Sequence, residues 1–485
     1  MANTQTEPTT LKREIGLLDA IFLVVGSMIG SGIFIVGSDI TRHTGSPLWF
    51  IAVWVIGGTM TLIAALSYGE LSAMYPRAGG QYTYLKEAYN PLVAFVYGWS
   101  LFAVIQTGTI AAVGVSFFKF LAYFIPELSE DLVFLRIGSF TISPAQASAI
   151  LLLVLITYIN TKGVKGGKII QSVFTATKIL SISGLIIFGF IHLNSGVWNA
   201  NWANLKFQQL YTDGSFSDYQ SVPALAGALA AALVGAIMSY EAWNNVTFVA
   251  GEIRDPKKNI GRSLLIGTVL VTLIYVLLNL MFTAVLPLSE IASAEKDRVG
   301  LTASHAIFGA KGTIVIAVLI MIATFGCNNG LILAGARVYY SMAKDGLFFN
   351  RASQLNKHAV PSFALWIQCI VASLLCLSGK YGDLLDMITF IAVLFYVLTI
   401  AGVYILRIKK PDLDRPYKAI GYPYLPALYL LLGSAFCVLL IIYKPGFTWP
   451  GLIIAVAGIP LYYINEYLKK FSPTVSRTSR NGGSS

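Results

Sequence analysis

Long apolar segments divide this sequence, and each is close to the length that crosses a lipid bilayer. A helix needs ~20 residues to span the hydrocarbon core of a membrane. Short polar loops separate the segments, which predicts a bundle of membrane-spanning helices. We place twelve segments, at residues 17–41, 48–73, 91–125, 145–160, 167–194, 222–251, 263–287, 312–341, 361–379, 384–406, 422–443 and 449–467.

The composition excludes an ordinary soluble protein. Hydrophobic residues make up 56% of the chain and charged residues only 12%. Soluble domains carry about twice that charged fraction. Residues 1–16 are polar and the first apolar run is too long for a signal-peptide core, so no cleavable signal peptide is expected. The Ser- and Arg-rich residues 469–485 predict a disordered cytoplasmic tail.

The positive charge of the chain is distributed unevenly between its loops. There are 34 Lys and Arg residues against 23 Asp and Glu, a net charge of +11. With the N-terminus inside, 24 of the 34 fall on the inner side, nine fall outside, and Lys178 lies within a span. This excess predicts that both termini are cytoplasmic. Because the sequence has no basic face interleaved with exposed aromatic residues, no nucleic-acid partner is predicted.

Glycine, serine or charged residues interrupt two of the apolar segments. The interruptions fall at residues 26–34 in the first segment and 239–245 in the sixth. The first interrupted segment therefore begins a group of five segments at 17–195, and the second begins another group of five at 222–407. Helices 11 and 12 follow at 422–468. Paired discontinuous helices are typical of secondary transporters built from inverted repeats. The alternative is that the small residues only allow two unbroken helices to pack closely.

A broken helix has chemistry that an intact one lacks. The new N-terminus after the first break exposes amide donors and the positive end of a helix dipole, which favour a carboxylate. Gly30, Ser31 and Gly32 are the predicted carboxylate cradle, with the hydroxyl groups of Ser27 and Ser31 as further donors. Carbonyl groups freed in the second break, near Met238 and Ser239, are predicted acceptors for an ammonium group. The combination suits a free amino acid.

Nothing in the sequence indicates an enzyme. The cysteines, Cys327, Cys369, Cys376 and Cys437, lie in apolar segments without metal-ligand spacing and are expected to be buried thiols. The four histidines lie far apart in sequence, so their spacing assembles no catalytic or metal cluster. No cofactor is predicted.

Several motifs resemble those of a known superfamily. The run Gly-Ser-Met-Ile-Gly-Ser-Gly-Ile-Phe at 26–34 resembles the first-helix motif of the amino acid, polyamine and organocation transporters. Residues 240–244 and 252–260 resemble the sixth helix and following loop of the L-type amino acid transporter branch. Residues 406–416 are similar to the loop after its tenth helix. The resemblance covers nearly the whole apolar chain.

The resemblance implies an all-α integral membrane protein with twelve transmembrane helices. Its fold would be a leucine-transporter-type five-plus-five inverted repeat with discontinuous helices 1 and 6. It also implies amino acid transport by alternating access. The α-carboxylate would bind at the predicted cradle, and Met28 and Met238 would contact the amino group through their backbone. The full predicted substrate site comprises Ser27, Met28, Gly30, Ser31, Gly32, Met238, Ser239, Glu241, Trp243 and Asn244.

Two positions in the second break depart from the pattern of the resembling family. Met238 stands where family members often carry an aromatic gate, and Glu241-Ala242 stands where many have Gly-Gly or Asp-Gly. Two interpretations of Glu241 remain open. It faces the substrate side chain and favours cationic amino acids, or it bonds to unwound backbone and holds the sixth helix open for neutral substrates.

Lys178 is the other exceptional charge. It follows Lys168, at the inner end of helix five, by ten residues, which places it ~15 Å into a hydrocarbon core that is ~30 Å thick. An ionisable residue at this depth is a functional candidate. By position it is similar to a lysine that replaces a sodium ion in the resembling branch, which implies sodium independence. It is therefore a candidate coupling residue through proton exchange, or it ties helices one and eight together through carbonyl groups.

The resulting prediction is a sodium-independent exchanger of small or medium neutral L-amino acids in the plasma membrane. The alternatives are a proton-coupled symporter, a carrier of cationic amino acids that uses Glu241, and, more distantly, an amino acid sensor that does not transport. Eukaryotic members of the branch are joined to an accessory subunit through a cysteine between helices three and four. Residues 126–144 contain no cysteine. A stand-alone, bacterial-type carrier in the lipid bilayer, without a covalent accessory subunit, is therefore expected.

Overall fold

The computed structural model describes residues 11–138, 140–377 and 381–471. Most of the predicted N-terminal segment 1–16 and of the predicted tail 469–485 lies outside these residues. The described helices are α1 (Leu17–Met28), α2 (Gly37–Thr44), α3 (Pro47–Met74), α4 (Gln81–Ala88), α5 (Pro91–Ser100), α6 (Gln106–Leu121), α7 (Pro144–Thr161), α8 (Val164–Ile191), α9 (Ser195–Trp202), α10 (Val222–Ser239), α11 (Asn245–Phe248), α12 (Pro256–Val285), α13 (Leu288–Ala292), α14 (Val299–Lys344), α15 (Ser362–Cys376), α16 (Tyr381–Lys409), α17 (Tyr424–Tyr443) and α18 (Pro445–Phe471).

Short 3₁₀ and π segments join several of these helices. A π-helical turn at Leu101–Ile105 makes α5 and α6 one continuous span. Backbone at Gly309 has φ 67° and ψ −170°, so α14 bends there. The 3₁₀ turns are Gly32–Phe34, Pro126–Leu128, Ala250–Glu252, Glu295–Asp297 and Asn350–Ser353.

The starts of several long helices follow directly from the local sequence. Ser46, Asn90 and Ser143 each accept a hydrogen bond from a backbone N–H in the first turn of the helix that follows, and each is followed by proline. Proline fits the first helical position because that N–H has no partner within the helix. These caps fix where α3, α5 and α7 begin.

Ten helical spans in the described part of the chain are long and apolar enough to cross a membrane. The other two predicted segments correspond to shorter apolar helices, Leu17–Met28 and Ser362–Cys376. The first is short because it is broken, as predicted. The protein is therefore a multi-pass, mainly helical membrane protein, and the total of twelve spans stays a prediction.

Two small antiparallel hairpins lie in connecting segments. The predicted all-α fold did not include these strands. Strands β1 (Leu135–Ile137) and β2 (Phe140–Ile142) pair in the loop after α6. Strands β3 (Gln208–Leu210) and β4 (Phe216–Asp218) pair between α9 and α10.

One end of the bundle is called the amino-terminal face here. At this end, polar contacts join residues near the start and the end of the described chain to the same set of loops. Ile15 donates its N–H to the Glu252 carbonyl at 3.0 Å. Lys86 pairs with Asp345 at 2.7 Å, and Asn465 donates to the carbonyl of Gly346.

Glu70, near the C-terminal end of α3, forms an ion pair with Arg407 on the amino-terminal face. Its carboxylate lies 2.7 Å from a guanidinium nitrogen of Arg407 and also accepts the Ala419 N–H. The side chain is buried, with 1% of its surface exposed. Glu70 is therefore a buried carboxylate whose charge is compensated by Arg407.

Candidate functional site

The first apolar segment is interrupted where its small residues cluster. Helix α1 ends at Met28, and Ile29 adopts an extended conformation with φ −77° and ψ 97°. A 3₁₀ turn at Gly32–Phe34 follows, and α2 begins at Gly37. All of residues 27–31 are buried, so this non-helical backbone lies inside the protein.

The sixth segment is interrupted as well. Helix α10 ends at Ser239, and Ala242 has φ 71°, a left-handed conformation that non-glycine residues seldom adopt. The chain then forms the short helix α11 and a 3₁₀ turn at Ala250–Glu252. Strained backbone of this kind often accompanies a functional site.

The two breaks lie side by side. The hydroxyl group of Tyr275, in α12, is 3.0 Å from the carbonyl oxygen of Met28 and 3.0 Å from that of Ser239. A Cβ atom added to Gly32 would lie 3.0 Å from Oγ of Ser239. Since this separation is tighter than ordinary van der Waals contact, a side chain at position 32 would require Ser239 to shift by a few tenths of an ångström. The structure therefore brings residues 28 and 32 of the first break against residue 239 of the second.

The predicted carboxylate cradle borders helices α6 and α14. Oγ of Ser31 is 2.6 Å from Oγ of Ser116, and a Cβ on Gly30 would lie 3.1 Å from Sγ of Cys327. The Cys327 thiol donates to the carbonyl of Ser27 at 2.9 Å. Within the described residues, the buried hydroxyl of Ser27 has no hydrogen-bond partner. A buried hydroxyl group without a hydrogen-bond partner gains from a hydrogen bond to a polar ligand.

Lys178, in α8, reaches the first break directly. Its ammonium group donates to the carbonyl oxygens of Gly26 at 2.8 Å and Ile29 at 2.7 Å, and the side chain is fully buried. These carbonyls belong to the last turn of α1 and to its extended continuation. The ammonium group thus occupies the position at which a cation stabilises the negative end of a helix.

The remaining second-break residues make a different set of contacts. The carboxylate of Glu241 accepts a hydrogen bond from the Tyr396 hydroxyl of α16, and Nδ2 of Asn244 donates to Gln81 of α4 at 3.1 Å. The Trp243 ring packs against Tyr396 with ring centroids 5.2 Å apart. None of the contacts described for these three residues reaches residues 27–32.

Glu241 and Asn244 instead border a small polar cavity of about 230 Å³ between α4, α5, α6 and α16. Gln81, Gln106 and Tyr97 contribute to the same cavity. Glu241 and Asn244 therefore lie at this cavity and Trp243 packs on Tyr396 of its lining, whereas Ser239 lies against the first break.

The carbonyl groups predicted to receive a substrate ammonium already have partners. The carbonyl of Met238 accepts the Glu241 N–H at 3.1 Å, and those of Met28 and Ser239 contact the Tyr275 hydroxyl. An amino group at the carbonyls of Met28 and Ser239 would therefore share them with the Tyr275 hydroxyl, since each carbonyl oxygen has two lone pairs. Sequence reasoning did not single out Tyr275, because one tyrosine among 25 in an apolar chain carries no distinguishing signal.

Tyr275→Phe should weaken amino acid uptake by roughly tenfold or more, because it removes the hydroxyl that links the two breaks. Leaving one buried acceptor unsatisfied costs about 1–3 kcal/mol, and ~1.4 kcal/mol is tenfold in affinity. The measurement is the concentration dependence of alanine uptake into proteoliposomes. Tyr89→Phe is the matched control, because its hydroxyl donates to the Leu398 carbonyl at 2.8 Å in a different part of the bundle. Equal, small effects of both variants would contradict a role for Tyr275 in the site.

Known proteins resemble this chain along nearly its whole length. Residues 15–462 match the amino acid permease family. The large neutral amino acids transporter small subunit 2 of Homo sapiens is 30% identical over 94% of this chain and 81% of its own length. The Asc-type amino acid transporter 1 of Mus musculus is 29% identical over 97% of this chain and 84% of its own.

A third relative, the b(0,+)-type amino acid transporter 1 of Mus musculus, is 28% identical over 96% of this chain and 91% of its own length. Family and relatives alike are transporters rather than enzymes. The match over residues 15–462 and the two adjacent helix breaks lead to the same conclusion. The chain belongs to the amino acid permease family, within the L-type branch of the amino acid, polyamine and organocation transporter superfamily.

Proposed function

We propose that this amino acid transporter exchanges small or medium neutral L-amino acids by alternating access and without sodium. The substrate carboxylate binds at Ser27, Gly30, Ser31 and Gly32. Its amino group binds near the carbonyls of Met28 and Ser239, where Tyr275 now lies. The observation that supports this site best is the contact of one Tyr275 hydroxyl with both breaks.

Sodium independence rests on Lys178. A sodium ion at a helix break is held by backbone carbonyl oxygens. Here the Lys178 ammonium group already donates to the carbonyls of Gly26 and Ile29. A fixed positive charge in that position does the electrostatic work of the ion and repels a second cation.

The preference for neutral substrates rests on Glu241. Its carboxylate is engaged by the Tyr396 hydroxyl, and it borders the polar cavity rather than the cradle. This geometry favours the interpretation in which Glu241 supports the unwound part of the sixth segment. The competing proposal, recognition of a cationic side chain, requires a substrate that extends from the cradle into that cavity.

Glu241→Gln should leave alanine uptake within about threefold of the parent protein. The glutamine amide keeps an oxygen that can accept the Tyr396 hydroxyl, so the hydrogen bond survives without the charge. The measurement compares alanine, leucine and arginine uptake at equal protein content. A selective loss of arginine uptake would instead establish Glu241 as the partner of a cationic substrate. Loss of all uptake at normal expression would contradict side-chain recognition as its sole role.

Proton-coupled symport is the second candidate. The observation that favours symport is a buried lysine, Lys178, in contact with the first break. A group that binds the break only when it is protonated links substrate binding to the uptake of a proton. Exchange and symport use the same site in this proposal. In symport a proton crosses with the amino acid and the unloaded carrier can change its conformation, whereas in exchange it cannot.

We further propose that the carrier resides in the plasma membrane with both termini in the cytoplasm. The repeats span 17–195 and 222–407, with helices 11 and 12 at 422–468. One relative carries the words "small subunit" in its name. In this chain, residues 126–144 contain a 3₁₀ turn and strands β1 and β2 but no cysteine. We therefore propose a carrier without a disulfide-linked partner.

The substrate and sodium proposals are tested by uptake of labelled alanine, leucine and arginine into proteoliposomes, in sodium and in choline buffers. We expect alanine or leucine to exceed arginine, with equal rates in the two buffers. Uptake that requires sodium would overturn the assignment of Lys178. Faster uptake of arginine than of alanine or leucine would overturn the proposal that Glu241 supports the unwound segment rather than binding a cationic side chain.

A further inference from the structure

A basic cavity opens on the amino-terminal face, away from both helix breaks. It has an empty volume of about 570 Å³ and lies between three separate segments of the chain. Lys12 comes from the N-terminal segment, Lys162 and Gly163 from the α7–α8 connection, and Lys357 and His358 from the loop before α15. Glu14 is the acidic residue in its lining. Three lysines against one glutamate make this cavity attractive to an anion.

The lysines of the cavity are available to a ligand. Within the described residues, none of the ion pairs or hydrogen bonds involves the ammonium group of Lys12, Lys162 or Lys357, and all three side chains are exposed. Most other lysines on this face have partners, such as Lys86 with Asp345 and Lys410 with Glu87. Three lysines without such partners therefore meet at this cavity.

A hydrogen-bond network around Asn356 fixes the wall of the cavity. Nδ2 of Asn356 donates to the Thr161 carbonyl at 2.8 Å and to Ser362 at 2.6 Å. Its Oδ1 accepts the N–H groups of His358 at 2.9 Å and Val360 at 3.2 Å. This side chain ties the loop before α15 to the end of α7. A site whose walls are already ordered loses less entropy when it binds a ligand.

An apolar stripe along α7 leads away from Lys162, which lines the cavity. Leu151, Leu155 and Tyr158 are 71%, 51% and 50% exposed and lie on the same side of the helix as Lys162. The Lys162 ammonium group lies 4.5 Å from the Tyr158 ring centroid. From Leu151 to Lys162 the helix rises ~16 Å, about half the thickness of the hydrocarbon core. The stripe therefore matches the depth of one leaflet.

We propose that this cavity binds the phosphate-containing headgroup of an anionic phospholipid, whose acyl chains lie along Leu151, Leu155 and Tyr158. The basic cavity supplies charge for the headgroup, and the stripe distinguishes a lipid from free phosphate. Basic pockets between transmembrane helices are a general means of binding such headgroups. Lys12 lies three residues before Ile15, which bonds to the Glu252 carbonyl. The lipid thus holds the segment that leads into the first break. This inference does not depend on the proposed exchange mechanism.

The test titrates delipidated, full-length protein with phosphatidylglycerol, phosphatidylcholine of the same acyl chains, and inorganic phosphate. Bound lipid is counted by native mass spectrometry and thermal unfolding is followed in parallel. The variant Lys162→Gln/Lys357→Gln should bind phosphatidylglycerol about 30-fold more weakly than the parent, at ~1 kcal/mol per lysine. Lys162→Arg/Lys357→Arg keeps both charges and should retain most of the binding.

The matched control is Lys258→Gln/Lys418→Gln, which removes two exposed positive charges that do not line the cavity. It should bind phosphatidylglycerol like the parent. Equal losses in the control and the cavity variant, or equal binding of phosphatidylcholine, would overturn the site. Stabilisation by inorganic phosphate as strong as that by phosphatidylglycerol would overturn the lipid assignment. Thermal unfolding without lipid shows that each variant is folded.

Discussion

Lys178→Met should reduce amino acid uptake at least about 30-fold while the protein still reaches the membrane. The substitution keeps an apolar side chain of similar length but removes the two hydrogen bonds from the ammonium group to Gly26 and Ile29. Hydrogen bonds from charged groups contribute about 1.5–3 kcal/mol each. Without them, two buried carbonyl oxygens at the start of the first break lose their partner. The unwound backbone should then lose the conformation that binds the carboxylate.

The measurement is uptake of labelled alanine by proteoliposomes that contain equal amounts of folded carrier. Thr177→Ala is the control on the same helix, because its hydroxyl donates to the carbonyl of Val173 one turn earlier. It should transport like the parent. Full transport and an unchanged pH response in Lys178→Met would show that Lys178 neither organises the break nor couples protons.

Arg337→Met should destabilise the whole protein, by about 3–5 kcal/mol. Arg337 and Glu252 form an ion pair at 2.8 Å with side chains that are 1% and 0% exposed. Removing one partner of a buried pair leaves the other charge without compensation, which costs energy of this size. Glu252 also lies in the turn after the second break and its carbonyl holds Ile15. The substitution should therefore loosen the amino-terminal face as well.

Thermal unfolding in detergent measures this effect, with an expected decrease of roughly 3–5 °C in Tm for a chain of this length. Arg351→Met is the control, since Arg351 is exposed. The double variant Glu252→Gln/Arg337→Met should recover part of the loss, because no unpaired charge then stays buried. A Tm for Arg337→Met equal to that of Arg351→Met would refute the importance of the pair.

The helix breaks were predictable because their residues contradict the apolar pattern around them. Glycines and serines at 26–32 and the charged Glu241 cannot be explained as lipid-facing residues, and the structure interrupts both helices there. Lys178 was predictable for the same reason. The structure shows its hydrogen bonds to carbonyl groups of the first segment, and its role in proton coupling stays a prediction.

The partners of these residues were not predictable from a single sequence. Tyr275, Ser116 and Cys327 come from distant segments, and their residue types are ordinary in membrane helices. The charge count places Arg337 on the inner side, near the end of the predicted segment 312–341, and gives no sign that it is buried against Glu252. Such pairings depend on which helices become neighbours, and helical periodicity carries no information about that.

Trans-stimulation shows whether one site between the two breaks exchanges amino acids. Labelled alanine uptake would be measured in proteoliposomes that contain either unlabelled alanine or no amino acid, with and without an inward proton gradient. Rapid uptake is expected only with internal amino acid, and Tyr275→Phe should slow this exchange. Equal uptake into empty vesicles, driven by the proton gradient, would contradict exchange and establish symport.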